Sequence, residues 1–501
     1  MTINYVNQSF PPEPFNKFIE TIRYYRALYD GNHEDIFPRA QQLFDSDIRS
    51  KIQYRKHPRR YFRYGHVEPK VTLPHYVVVN FSSVVAELPA DLINRSLGNI
   101  SGDTEKDEQL LDYVKQIEKI SKIQSKIWPA VVQHQVDGAI AYRCRWTQEK
   151  GAWFEFKPID MYFEHEDEMG ADIAWVEDRG KEKYLRVERQ RLENNQLLIE
   201  QLVFLMEGEK VKEQIDSQEY AQQYDIVIPD DLVLDGVNEL MCDILPNDET
   251  LLEPRGRSGL RNIDTIQDEI NWTITRDSIV FEKHGKPKLA IPRKLWDTVA
   301  QTNEKFYGQR FVRNADLEVV SYDENNGATP QYITWDAQTE QSFEHVKRLI
   351  DYMLSISKTS AQAAGVNTDA GSRSAIAILY EWIQSVIKAE AIKDKFDVFI
   401  KDAFRKCIIL ENTLGSSQFE VKEPVIEWGD MLPKADSERD TEESTKYEKG
   451  VQSLETTIRN IHPDWSEEAI MDELEKIQDE NARDSLNPTY IQPPKVNLGD
   501  E

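Results

Sequence analysis

Three stretches with helical spacing of apolar residues occupy the middle of the sequence, and their order constrains the fold more than any other feature. The first runs over residues 260–281, the second begins at Asp336, and the third runs over about 375–409. Apolar residues recur in each at intervals of three and four, which predicts amphipathic helices. A basic segment, 286–334, separates the first two helices, and short strands are predicted in it at 288–292 and 317–321, with a helix near 296–304. A loop with small residues and glycines, 360–374, separates the last two helices.

This order of elements has a physical interpretation. Two helices that flank an inserted domain can run antiparallel as a stalk, which holds the domain at one end. The loop then lies at the other end of the stalk, before the third helix begins. If several copies form a ring, the stalks line a channel and the loops project into it. Such an order is unusual for an enzyme.

The regions before and after this segment differ in periodicity. Residues 1–135 are predicted to be mainly helical, with helices near 15–29, 77–97 and 107–127. From about 140 to 235 the period changes to two, which predicts amphipathic antiparallel strands, with hairpin turns at Asn194–Asn195 and Gly208 and a polar loop at 213–224. The fold class expected is therefore α+β.

The net charge of −28 at first argues against a nucleic-acid partner, but its distribution changes that conclusion. Residues 259–410 hold 20 Lys and Arg against 21 Asp and Glu, a net charge of −1. Within them, residues 283–313 hold eight basic residues against two acidic ones, a net charge of +6. The acidity therefore belongs to the flanking regions, where it is typical of a solvated exterior.

The sequence also indicates a compartment. It contains no apolar run of 18 residues, so we expect no membrane-spanning helix, and the first ten residues do not resemble a secretory signal. Its three cysteines, Cys144, Cys242 and Cys407, lie far apart and match no metal-binding spacing. Buried thiols in a reducing cytoplasm are expected.

No standard catalytic signature occurs. The chain lacks a phosphate-binding loop with its lysine, a nucleophile elbow, an HExxH helix and a CxxC pair. The densest candidate is His165 with the acids at 164 and 166–168, which could offer ligands to a divalent cation. Because adjacent residues on a strand point to opposite faces, a solvated loop is favoured over a metal site. His134 is expected to be structural, and no catalytic residue is proposed.

The central segment resembles that of tailed-bacteriophage portal proteins, in particular the type with a subunit of roughly 500 residues found in long-tailed phages. The loop sequence from Thr359 to Ile376, TSAQAAGVNTDAGSRSAI, carries the resemblance furthest, because portal chains commonly place a loop of small residues here before an apolar helix. The elements at 24–31 and 80–98 and the β segments are similar to the portal wing, and the acidic C-terminal region is similar to a crown.

The resemblance implies a portal fold with a mainly helical wing and crown, antiparallel β segments in the wing, a two-helix stem and a small α/β clip. The implied parts are a wing over 1–258, a stem helix over 259–284, the clip over 285–335, a second stem helix over 336–360, a tunnel loop over 361–374, a long helix and wing return over 375–434, a crown over 435–487 and a flexible tail over 488–501.

The resemblance also implies a function. Portal proteins form dodecameric rings at the capsid vertex, through which double-stranded DNA is packaged and later ejected. The implied partners are other copies of the chain, DNA bound without sequence specificity, the terminase large subunit, the major capsid and scaffolding proteins and a head–tail adaptor. The implied location is the virion, with the host cytoplasm during assembly, and no cofactor, metal or membrane is implied.

Two sets of residues are predicted to carry this function. The DNA-channel set in the tunnel loop consists of Gln362, Asn367, Thr368, Asp369, Ser372 and Arg373. All of these except Asp369 are expected to make weak contacts with phosphate. A basic patch on the clip, facing either the motor or entering DNA, consists of Lys286, Lys288, Arg293, Lys294, Lys305, Arg310 and Arg313.

Two alternatives stay open at this point. One is another structural part of a phage, such as a head–tail adaptor, although those chains are usually much shorter. The other is an intracellular nucleic-acid-processing enzyme whose site the sequence does not reveal. A ring with a central hole in electron micrographs would separate the portal interpretation from both.

Overall fold

A computed structural model of the chain divides into two units. The structure describes residues 2–44, 76–101, 108–180, 182–284, 288–293, 297, 318–322, 331–333, 339–366, 375–415, 417–432, 436–462, 465 and 469–477. The first unit comprises Met1–Ala370 and Glu381–Met431, and the second comprises Gly371–Tyr380 and Leu432–Glu501.

Helices and antiparallel strands both contribute to the described residues, which confirms the α+β class. The helices are α1 (Asn16–Tyr29), α2 (His33–Ile36), α3 (Pro38–Phe44), α4 (Phe81–Ser96), α5 (Glu108–Ser121), α6 (Ile123–Asp137), α7 (Ser217–Tyr224), α8 (Asp264–His284), α9 (Thr339–Ile356), α10 (Ala375–Leu414), α11 (Asp436–Glu448) and α12 (Leu454–Ile461).

The strands are β1 (Leu97–Ser101), β2 (Ala139–Thr147), β3 (Gly151–Pro158), β4 (Tyr162–Glu164), β5 (Gly170–Asp178), β6 (Lys183–Glu193), β7 (Gln196–Glu207), β8 (Lys210–Ile215), β9 (Leu232–Asp235), β10 (Cys242–Pro246), β11 (Lys288–Pro292), β12 (Glu318–Tyr322), β13 (Gln331–Ile333) and β14 (Val425–Trp428). They form four sheets, with orders β1-β14, β10-β2-β3, β12-β11-β13 and β4-β5-β6-β7-β8, the last with β9 paired to β7.

The larger antiparallel sheet is covered by the N-terminal segment of the chain. Tyr5, Phe15 and Ile19 pack with Phe163 and Phe204 in one buried cluster. Hairpin geometry sets the register between β6 and β7, because Asn194 and Asn195 both have positive φ, at 50° and 65°. Asparagine tolerates this conformation, as a two-residue hairpin turn requires, so the turn predicted there is confirmed.

Two predictions for the N-terminal half were wrong in detail. The helix predicted over 107–127 is interrupted at Lys122, which has a φ of 55°, and a second helix, α6, then continues to Asp137. The polar loop predicted over 213–224 contains α7, whose N-terminus is capped by Asp216. Its carboxylate accepts hydrogen bonds from the backbone amides of Gln218 and Glu219, both at 2.9 Å. Helix α7 is short and polar, so its sequence shows no helical period of apolar residues, and the absence of that period led to the loop prediction. The capping acid Asp216 was the signal for the helix.

The insert between the first two central helices contains a small mixed sheet. Strand β11 coincides with the strand predicted at 288–292, and β12 begins one residue after the predicted strand at 317–321. β11 pairs with β12 in parallel and with β13 antiparallel. A parallel pair needs a crossover connection of a dozen or more residues, and 25 residues separate β11 from β12. The helix predicted near 296–304 lies outside the described residues.

In the second unit, Glu443 organises the contact between α11 and α12. Its carboxylate accepts hydrogen bonds from Lys446 at 2.6 Å, Gln452 at 2.7 Å and Asn460 at 2.8 Å. These donors lower the pKa of Glu443 to about 2. Helix α12 is capped at its N-terminus by Ser453, whose hydroxyl accepts from the amide of Thr456 at 3.2 Å. The predicted tail over 488–501 lies outside the described residues.

Candidate channel segment

The two helices that flank the insert pack side by side. The Ser342 hydroxyl of α9 donates to the Asp277 carboxylate of α8. Three residues further along α9, Nε2 of His345 lies 3.9 Å from a carboxylate oxygen of Glu269. Residues later in α9 therefore lie beside residues earlier in α8, so the pair is antiparallel, as the stalk interpretation of the sequence predicts.

A ladder of polar side chains fixes the first half of α8 to the N-terminal region. Gln267, Asn271 and Thr275 are spaced by four residues and therefore share one helix face. Gln267 accepts from the amide of Phe81 at 3.1 Å, and Asn271 accepts from the amide of Val79 at 3.0 Å. Thr275 accepts from the amide of residue 77 at 2.8 Å, and the Gln267 amide donates to the carbonyl of residue 79 at 2.7 Å. The extended backbone before α4 thereby obtains partners that a sheet would otherwise provide.

A buried histidine completes this anchor. Nε2 of His33 lies 2.8 Å from the carbonyl oxygen of Leu28, to which it must donate. Nδ1 therefore accepts from the Asn271 amide at 2.7 Å. Burial lowers the pKa of His33, which is consistent with this neutral tautomer.

The end of α9 is held against α10, where the predicted tunnel loop begins. The amide of Ser360 donates to the Ser385 hydroxyl at 2.8 Å, and the Ser360 hydroxyl donates to the carbonyl of Glu381 at 2.6 Å. The Lys388 ammonium donates to the carbonyl of Ser357 at 3.1 Å, and burial together with the nearby Lys358 lowers the pKa of Lys388 to about 8. The start of the loop therefore has a fixed position.

The second half of α10 packs on the three-stranded sheet β10-β2-β3. The rings of Tyr142 and Phe399 lie 4.7 Å apart, and those of Phe154 and Phe404 lie 5.5 Å apart. One continuous helix thus connects the start of the loop to the sheet core. If the start of the loop moved together with α10, the buried aromatic contacts between α10 and the sheet would therefore have to change.

The predicted site residues fall partly within the described residues. Gln362 is half-buried in a turn, where its carbonyl accepts from the amide of Gly365 at 3.1 Å. Lys288 lies in β11, and Arg293 directly follows that strand and is exposed. The other members of both sets lie outside the described residues: Asn367, Thr368, Asp369, Ser372, Arg373, Lys286, Lys294, Lys305, Arg310 and Arg313. The roles of both sets stay predictions.

The central helices expose large apolar side chains. On α9, Phe343, Tyr352 and Ile356 are at least half exposed, and on α10 Ile387 and Val398 are also largely exposed. Scattered apolar residues are normal on a protein surface, but several large ones on two consecutive helices are typical of a contact surface.

The residues considered for catalysis or metal binding form hydrogen bonds and ion pairs that stabilise the fold. The predicted solvated loop is present at 166–169, but His165, which directly precedes it, is buried, and its Nε2 lies 2.9 Å from Asp172, which also binds Arg189. Although burial alone would raise it, hydrogen bonds from Arg189 and His165 lower the pKa of Asp172. Glu166 and Glu168 are exposed, and the described part of the chain contains no cluster of three or more metal-ligating side chains.

The other candidates are buried as well. Cys144, Cys242 and Cys407 are buried free thiols, as predicted, and burial raises the pKa values of Cys242 and Cys407. His134 is also buried, which lowers its pKa to about 3 and keeps it neutral. These residues belong to the core and provide no reactive group at the surface.

A comparison with known families decides how this segment is to be understood. Residues 248–485 match the family described as phage portal protein, SPP1 Gp6-like. This stretch belongs to the phage portal protein family. The match covers a little under half of the chain, and it confirms the resemblance seen in the sequence. No curated protein matches the chain closely enough to be reported.

The portal family match includes both antiparallel helices, the mixed sheet between them, the turn after α9 and the whole of α10. Portal proteins are structural components of the capsid, which agrees with the absence of a catalytic signature from the sequence. None of the helices whose residues are described is long and apolar enough to cross a membrane.

Sequence reasoning missed the polar ladder of α8, although a signal for it exists. Gln267, Asn271 and Thr275 interrupt the apolar face of the helix at a spacing of four. A polar stripe on a buried helix predicts hydrogen bonds to another segment, because buried polar groups are almost always paired. The sequence does not reveal that the partner is backbone from residues 77–81.

Proposed function

We propose that this chain is a phage portal subunit that forms a closed ring around a channel for double-stranded DNA. The observation that carries the proposal is the antiparallel α8–α9 pair, which flanks the small mixed sheet inside the region matched by the portal family. In this proposal α8 and α9 are the stem, residues 285–335 the clip, residues 361–374 the tunnel loop and residues 435–487 the crown.

The exposed apolar side chains of α9 and α10 support assembly. An isolated subunit would leave Phe343, Tyr352 and Ile387 largely in water. Burying a large apolar side chain contributes about 1.5–3 kcal/mol, so repeated contacts between neighbours would favour association. Contacts between two different surfaces of one chain generate a ring when the rotation closes. A dodecamer is the state that the portal family suggests.

The charge of the segment supports passage of DNA without capture. Residues 259–410 carry a net charge of only −1 in a chain of −28. Each Lys or Arg that pairs with a phosphate strengthens binding in a salt-dependent way, so a strongly basic channel would hold DNA in place. We propose that tunnel-loop residues such as Gln362, Asn367 and Arg373 make only transient contacts with the DNA backbone.

The clip would then form the outer end of the channel. Its basic residues are suited to acidic surfaces of the terminase large subunit, with a head–tail adaptor taking the same position after packaging. The acidic wing and crown would lie inside the capsid, next to the major capsid and scaffolding proteins. The proposed location is the portal vertex of the virion, reached by assembly in the host cytoplasm.

Neutralising the clip is expected to separate assembly from packaging. With Lys286, Lys288, Arg293 and Lys294 all changed to glutamine, rings should form normally while packaged DNA falls at least tenfold, because motor docking loses four charges. The control changes four exposed lysines outside the clip, Lys183, Lys210, Lys212 and Lys449, to glutamine. Packaging is measured as nuclease-protected DNA, and variant subunits that fail to assemble, or rings that package normally, would count against the assignment.

The enzyme alternative receives no support from the described residues, whose histidines and cysteines are mostly buried or paired. A nuclease assay on purified protein tests it directly. Cleavage of DNA by monomers would favour that alternative over the portal assignment.

A further inference from the structure

Two surfaces at opposite edges of one sheet complement each other. The sheet has the order β10-β2-β3, so β10 and β3 are its edges. The chain forms a protruding turn directly after β10, and a groove lies along β3. Pairing of Pro246 with Ala139, and of Ile140 with Pro158, places the turn and the groove at the same end of the sheet.

The turn, which we call the leucine knob, comprises residues 248–254. Leu251 and Leu252 are 103% and 93% exposed, so neither contacts the rest of its own chain appreciably. The backbone groups of Thr250 and Glu253 bond each other in both directions, at 3.3 and 3.1 Å, and close the turn. Two adjacent leucines are thus held in water by a closed turn.

The base of the leucine knob is fixed to the rest of the unit. The amide of Asn247 donates to the carbonyl of Gly138 at 2.9 Å, and the Lys395 ammonium lies 2.6 Å from the Glu249 carboxylate. A fixed protrusion loses little conformational entropy when it binds, which favours its use as a contact.

The groove, which we call the β3 groove, has a volume of about 470 Å³ and lies between β3 and helices α5 and α6. Its lining includes the apolar side chains of Ile120, Pro129 and Phe156 and three lysines. Lys122 and Lys126 are exposed and form no ion pair with any described residue, whereas Lys157 lies 2.9 Å from Glu155. The groove therefore has an apolar interior and a basic rim.

The charges of the two surfaces are complementary. The leucine knob carries Asp248, Glu249 and Glu253, which are paired at its base with Arg257, Lys395 and Arg261. Arg257 pairs with both Asp248 and Glu253, and both acids are more exposed than it is. The side chain of Asp248 is 68% exposed, whereas that of Arg257 is 25% exposed. Carboxylates thus surround the leucines, as lysines surround the groove.

The knob cannot fill the groove of its own chain. It follows one edge strand, and the groove follows the other, with β2 between them. Neighbouring strands lie roughly 4.8 Å apart, so the sheet itself separates the two surfaces by about 10 Å. Opposite placement is what side-by-side packing of identical subunits requires.

We infer that the leucine knob of one subunit inserts into the β3 groove of the next copy of this chain. The inference rests on the proposed ring and names one of the contacts that close it. Leu251 and Leu252 then bury their side chains against Ile120, Pro129 and Phe156, and the acids of the knob face Lys122 and Lys126 across the subunit boundary.

The first test removes the apolar contact. Changing Leu251 and Leu252 to aspartate should raise the protein concentration needed for ring formation by about a hundredfold, measured by mass photometry. Because both side chains are exposed, the monomer should melt at an unchanged temperature, which excludes misfolding as the cause. Rings that persist at wild-type concentrations would overturn the inference.

The second test locates the contact by disulfide formation. The native cysteines are buried, so cysteines introduced by Leu251→Cys and Lys126→Cys in one chain would be the reactive pair. Oxidation should produce a ladder of covalently linked subunits. The matched control combines Val227→Cys, another 94% exposed position, with Lys126→Cys and should produce no ladder. If the double-cysteine variant forms rings but no ladder, the proposed contact is refuted while the proposed ring stands. If the wild-type protein forms no rings, the proposed function itself is refuted.

Discussion

Replacing Arg26 with methionine is expected to destabilise the first unit by about 3–5 kcal/mol, because it leaves a buried carboxylate without its cation. The Arg26 guanidinium binds Asp137 at 2.6 and 2.9 Å, and also binds Asp160 at 2.7 and 2.9 Å. The side chain of Asp137 has no exposure to solvent. One cation thus joins α1, the end of α6 and the turn before β4.

The free energy of unfolding from urea titrations measures this effect, and pH provides a further check. Burial raises the pKa of Asp137 even beside Arg26, and removing the guanidinium should raise it further. Since the folded variant then binds a proton that the unfolded chain releases, the deficit should shrink as the pH falls toward 5. Arg348→Met, which removes an exposed pair with Glu344, is the control and should cost less than about 1 kcal/mol. If Arg26→Met and Arg348→Met lowered the free energy of unfolding equally, the proposed role of Arg26 in pairing the buried Asp137 would be contradicted.

Replacing Gly256 with alanine is expected to cost about 3–5 kcal/mol, since two penalties combine there. Gly256 has a φ of +86°, where a β-carbon costs about 1–2 kcal/mol. That β-carbon would also lie 2.2 Å from the carbonyl oxygen of Gly138 and 2.8 Å from the amide of Asn247. Both neighbours are backbone, so relieving the clash needs a shift in the segment that joins β10 to α8.

Gly236→Ala is the matched control for this prediction. Gly236 has a φ of +76°, but no atom lies within 4 Å of the position that its β-carbon would occupy. It should therefore cost only the backbone strain, about 1–2 kcal/mol. Thermal unfolding of the two variants separates steric contact from strain, and similar melting temperatures would show that the close approach at Gly256 has no energetic weight.

Periodicity predicted the central helices and most strands because they bury a regular apolar face. Helix α10 carries its buried residues, among them Ile392, Phe396 and Ile400, at helical spacing, and strand β11 was predicted with its observed bounds. The order of these elements was also sufficient to suggest the stalk. The spacing of apolar residues was therefore sufficient to predict these helices and strands, and their order was sufficient to suggest the resemblance to portal proteins.

Features that depend on contacts between distant residues could not be predicted in this way. The break at Lys122 has no proline or glycine to signal it, and the ladder of α8 binds backbone nearly 200 residues away. The acidic neighbours of His165 correctly predicted an exposed loop, but the burial of His165 itself beside Asp172 could not be predicted from them. The leucine knob likewise depends on which strands form the edges of a sheet.

Electron microscopy of the purified wild-type protein tests the central claim most directly. The portal assignment predicts particles of one size that appear in end views as closed rings with a central hole, with a mass that is a whole multiple of the 58.4 kDa subunit. Uniform 58.4 kDa monomers at micromolar concentration, or open filaments without a closed ring, would contradict it.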